Sequence, residues 1–108
     1  MKTQIVMAAA LTAGQAEALT CHGTSPDWTL DLAAETAVFA FADRQSTLDI
    51  PQQSRPEGQD WPVAMTLIGP RDSAIAIIEA PDDHGTHAAR ILTQRFETPI
   101  LLVGTCHE

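Results

Sequence analysis

Two Cys-His dipeptides stand near the ends of the 108-residue chain, Cys21-His22 in "LTCHGTSPDW" and Cys106-His107 in "LLVGTCH". Together their side chains are those of a Cys2His2 zinc centre. Adjacent residues on a strand point to opposite faces, however, so Cys21 and His22 do not easily ligate one ion from regular β structure. In an exported chain, two cysteines placed this way most simply form one disulfide. A Cys21–Cys106 bond would close a loop of roughly 85 residues, and chain entropy sets its upper value at about 4.5 kcal/mol. It would tie the first strand to the last.

The second cluster is "PDDHGTH", where Asp82, Asp83, His84 and His87 place two carboxylates and two imidazoles within six residues. Such a loop has the donor types for a divalent ion, which makes these four the weak metal candidates of the chain and a small metal-binding periplasmic protein one reading of it. The spacing is neither H-E-x-x-H nor an EF-hand, and Asp, His and Gly are also ordinary turn residues. C-x-x-C and C-x-x-C-H are absent, as is a G-x-S-x-G elbow, and Ser25 and Ser73 read as turn formers. No catalytic residue and no cofactor are expected, and the chain reads as a non-enzyme.

These residues have to be positioned by a small exported domain. Lys2, the apolar stretch Ile5 to Ala13 and the A-x-A sequence at Ala16 to Ala18 form an expected signal peptide over residues 1–18. That leaves residues 19–108 as one domain and implies a periplasmic or secreted protein. Nine apolar residues are too few for a span that needs about 20, so a membrane-spanning chain is not expected. The sequence carries a formal charge of −8 and no Lys after residue 2. Such a surface repels nucleic acid and anionic lipid, and the chain lacks lysine for Schiff-base or phosphate chemistry.

From Trp28 onward the apolar residues recur with period two, the mark of half-buried strands. Trp28, Leu30 and Leu32 share one face, as do Ala37, Phe39 and Phe41, then Leu48 and Ile50, then Val63, Met65 and Leu67. Ile75 pairs with Ile77 in "SAIAIIE", and "ARILTQRF" and "PILLVGT" follow. Turn residues at 23–27, 42–45, 69–73 and 80–87 separate these segments, and short connections favour antiparallel pairing. The expected fold is all-β, a small antiparallel barrel or sandwich of about seven strands. One short helix over residues 86–97, with Ala88, Ile91, Leu92 and Phe96 inward, is the α+β alternative, and "LAAETAVFA" has a weaker helical reading. Both Trp28 and Trp61 are expected to be buried. The polar stretch Pro51 to Asp60 is the candidate mobile or recognition loop.

The ends of the chain carry a resemblance. "CHGTSPDWTLDL" resembles the C-x-G-x-x-P-x-W-x-L opening of small exported bacterial proteins of unknown function, and "ILTQRFETPILLVGTC" resembles their closing strand pair. This implies an exported β domain and brings no activity. More distantly, the chain is similar to the envelope inhibitors of C-type lysozyme, small β-barrels with a disulfide. Their S-G-x-x-Y loop has no counterpart, because the chain contains no Tyr. The reading is therefore an envelope-associated binding domain whose protein or envelope partner is unknown, with inhibition of a cationic hydrolase such as lysozyme as an alternative.

Overall fold

A computed structural model describes residues 18–95 and 97–108. The expected signal peptide, apart from Ala18, lies outside the described residues. Eight strands follow one another in the described chain: β1 (Leu19–Gly23), β2 (Trp28–Leu32), β3 (Thr36–Phe41), β4 (Arg44–Ser54), β5 (Val63–Ile68), β6 (Ser73–Pro81), β7 (His87–Arg95) and β8 (Thr98–His107). Each pairs antiparallel with the next, and β8 returns to β1, closing a barrel. The all-β expectation holds in its barrel form, with eight strands where the hydropathy pattern marks about seven. The helical alternative for 86–97 is overturned, since His87–Arg95 runs in continuous register with Thr98–His107. Leu92, inward in that helix, is 44 % exposed.

The strands alternate up and down, so one end of the barrel gathers both termini of the domain together with the connections at 33–35, 55–62 and 82–86. The other end holds the tight turns. Ala42 and Asp43 make the two-residue turn between β3 and β4 with φ of 56° and 64°, values that match the right-handed twist of the flanking strands. At the same end Asp72 accepts hydrogen bonds from Arg44 and the Ser46 hydroxyl, binding the β5–β6 turn to β4.

A closed barrel has no edge strand, and proline cannot donate to a ladder, so two of the three strand prolines lie where the register breaks, while Pro99 is the second residue of β8, in unbroken register with β7. Pro51 lies in the shift between Asp49 and Gln52, and Pro81 borders the shift that follows Ile78. The proposed loop 51–60 is accordingly shorter than its polarity suggests. Pro51 to Ser54 belong to β4, and the connection itself covers 55–62.

The inward face runs through Trp28, Leu30, Leu32, Phe39, Leu48, Ile50, Val63, Met65 and Leu67, in the phase expected from the sequence. Trp28 closes the seam between β1 and β8, its indole donating to the carbonyl of Val103 at 3.1 Å. Gly23 and Gly104 make room there. A Cβ on Gly104 would collide with the backbone of His22 and with the indole, and one on Gly23 with the indole and the Val103 carbonyl. Trp61 departs from expectation: it lies before β5 and is only half-buried.

On β6 the phase is the reverse of the expected one. Ala74, Ala76 and Ile78 point inward, while Ile75 is 44 % exposed and Ile77 half-buried. An eight-strand barrel has an interior just wide enough for side chains to fill. With Trp28, Phe39, Leu48 and Met65 occupying it from β2 to β5, β6 and β7 mix small and large inward residues, Ala74, Ala76 and Ala89 with Ile78 and Ile91.

Candidate functional site

The disulfide joins Cys21 and Cys106, which are directly opposed in the β1–β8 ladder and fully buried. Their neighbours His22 and His107 point outward and are exposed, with ring centroids 5.9 Å apart in an edge-to-face arrangement. The Cys2His2 reading is thereby overturned: both sulfurs are spent on the bond, and the imidazoles stand on the opposite face of the sheet.

The "PDDHGTH" residues are divided in the same way. Asp82 caps its own loop, accepting from the backbone N–H of His84 at 2.8 Å and of Thr86 at 3.0 Å. The hydrogen bond from Thr86, then that from His84, holds its carboxyl below the ordinary Asp value. Asp83 and His84 are exposed, whereas His87 is inward and 5 % exposed. The ring of His87 bonds through Nδ1 to the carbonyl of Glu79 at 2.8 Å. A carbonyl only accepts, so Nδ1 carries the proton. Trp61 covers this imidazole with ring centroids 4.7 Å apart. Together Trp61, His84, His87 and His107 line an open groove at the terminal end of the barrel. Among the described residues no group of three or more His, Cys, Asp or Glu is arranged to hold a metal ion.

A different region stands out by its chemistry, the outer wall of β6 to β8. Leu101 is 61 % exposed, Val103 57 %, and Ile75 and Leu92 44 % each. The ladder registers set Thr66, Ile75, Leu92 and Leu101 in one row across β5 to β8, and Ala64, Ile77, Arg90 and Val103 in the next. The apolar side chains are therefore contiguous. Of the fourteen acidic residues in the chain, only Glu79 lies on these three strands. Arg90 binds it at 2.6 Å, so the one acid is countered within the wall. Outward positions on β2 to β4 are of another kind, with Thr29, Asp31, Gln45, Thr47 and Asp49 exposed.

Sequence reading missed this wall because period-two alternation identifies two faces without saying which is inside. The signal that could have found it is the size difference along "SAIAIIEA", where Ala74 and Ala76 alternate with Ile75 and Ile77 and the small pair takes the inside. Comparison with family models, with curated proteins and with solved structures finds no match to this chain. No helix among the described residues is long and apolar enough to cross a membrane.

Proposed function

We propose that this chain is an exported, envelope-associated protein acting as a non-catalytic binding domain, with the outer wall of β6 to β8 as its contact surface. The observation that carries this reading is the placement of Ile75, Leu92, Leu101 and Val103 on the outside of a barrel whose interior is already filled. Contiguous apolar surface in contact with water is costly, and where it persists on a folded protein it marks an interaction site. The disulfide is consistent with an oxidising, exported location. A membrane-spanning barrel would carry an apolar band around its whole circumference and a polar lumen. Here the interior is apolar and Asp31 and Asp49 face outward, so a protein surface suits the wall better than a bilayer core.

The test is site-specific photo-crosslinking in living cells, with the reactive group at position 101 or, on the opposite wall, at position 47. Covalent adducts from 101 and none from 47 are expected. Adducts from 47 alone, or from neither position, would overturn the assignment of the surface.

A second reading, inhibition of a cationic hydrolase, is favoured by one observation. With only Glu79 on β6 to β8, the other acids lie elsewhere in the chain, among them Glu57 and Asp60 in the exposed 55–62 connection. A cationic partner would dock there rather than on the apolar wall. Loss of lysozyme activity on adding the protein would support it, and unchanged activity at excess protein would remove it.

A further inference from the structure

Resting on the binding reading above, we propose that the occupant of the β6–β8 wall is a second copy of this chain, packed face to face across a twofold axis. Charge is the first reason. The molecule carries a net charge of −8, so two copies repel through most of their surface. On the outer face of β6 to β8 the charges placed by the structure are Arg90 and Glu79, which pair and cancel, so this wall adds no like-charge repulsion of its own when two copies approach. A strongly cationic partner finds no acidic field there, and an anionic membrane finds an acidic molecule.

Size is the second reason. β6, β7 and β8 are 9, 9 and 10 residues long. At about 3.3 Å per residue and about 4.8 Å between strands, and with β5 added at the margin, the wall projects on the order of 500 Å². Two such walls would bury at most about 1,000 Å² in total, the low end for a specific interface.

Shape is the third. The β7–β8 ladder keeps its register over nine consecutive pairs, from His87–Cys106 to Arg95–Thr98, without a bulge. Such a regular sheet face packs on another with strands about 30° apart, its side chains interdigitating. A twofold contact places the same patch on both copies, and the Ile75–Leu92–Leu101 row supplies apolar groups on either side. Arg90 and Glu79, paired within one molecule, enter the contact already neutralised.

Sedimentation equilibrium of the purified protein tests this, with Leu101→Glu and Val103→Lys measured beside it. The two substitutions bring opposite charges to exposed positions, and each appears twice in a twofold dimer. The expected result is a wild-type dimer at micromolar concentration, with each variant raising the dimer Kd at least about 100-fold while circular dichroism, and melting at concentrations where both proteins are monomeric, stay unchanged. A monomer up to about 1 mM, a dimer that survives either substitution, or a monomer captured by neutral phosphatidylcholine vesicles would overturn self-pairing. If that monomer still crosslinks from position 101 to a different protein in cells, the binding reading stands and only the identity of the partner falls.

Discussion

Strands β2 to β5 and strands β6 to β8 both turn apolar residues into the core and differ in what they turn outward. The first group turns Trp28, Leu30, Phe39, Leu48, Met65 and Leu67 inward and shows Thr29, Asp31, Thr47 and Asp49 to water. The second puts Ala74, Ala76 and Ala89 inward together with Ile78, Ile91 and Leu102, and leaves Ile75, Leu92, Leu101 and Val103 outside. An eight-strand barrel has an interior just wide enough for side chains to fill, so small residues must stand opposite large ones. On β6 to β8 the core takes Ile78, Ile91 and Leu102 beside the three alanines, and the further large residues Ile75, Leu92, Leu101 and Val103 lie outside it, which points to something that covers them.

The largest effect is expected at the bond between β1 and β8, which closes the barrel around both groups of strands. Replacing Cys21 and Cys106 by Ala should lower stability by up to about 4.5 kcal/mol, read as a fall in the denaturation midpoint. A loss near zero would mean that the β1–β8 ladder closes the barrel without the covalent tie.

The next contrast is between leucines of equal size on the two halves. Leu48→Ala removes a fully buried side chain and should cost about 3 kcal/mol. Leu101→Ala, at an exposed position, should leave the stability of the monomer within about 0.5 kcal/mol. Equal losses would show that the outer wall is not free of the core. A smaller effect, about 1–3 kcal/mol, is expected from enlarging the alanine side of the interior with Ala76→Leu. If that change were neutral or stabilising, the filled-interior explanation for the alanines would fail.

The smallest effect belongs to the loop that joins β6 to β7. Asp82 titrates below its ordinary value in the folded protein, so its contribution is complete above the unfolded Asp range and is lost as pH falls through the folded value. Amide exchange at His84 and Thr86 should therefore quicken as pH is lowered below about 4, after correction for the intrinsic rate. In Asp82→Asn that pH dependence should be gone.

Much of the barrel is legible in the sequence, and the reasons differ from place to place. Trp28, Leu30 and Leu32 alternate with polar residues, so the inward phase of β2 follows from hydropathy alone. The same is true of β5, where Val63, Met65 and Leu67 face in. Cys21 and Cys106 are legible as a bond because few alternatives exist for two cysteines. Alternation on β6 is between Ala and Ile, both apolar, and there the inside is decided by the volume that other strands leave, a quantity no single segment contains. The helical alternative for 86–97 arises from the same ambiguity, since Ala88, Ile91 and Leu92 suit a helix face until β6 and β8 claim the backbone of this segment as their neighbour. Asp82, Asp83, His84 and His87 look like one cluster in sequence. His87, however, begins a strand and turns inward, while the other three stay in the turn.

Methyl NMR over a dilution series tests the central claim most directly, because it reads the inner and outer faces of the same strands in one experiment. Concentration-dependent shifts are expected at Ile75, Leu92, Leu101 and Val103, with Leu30, Leu48 and Ile91 unmoved. Stationary outer methyls across the whole range, or shifts confined to residues outside β6 to β8, would contradict it.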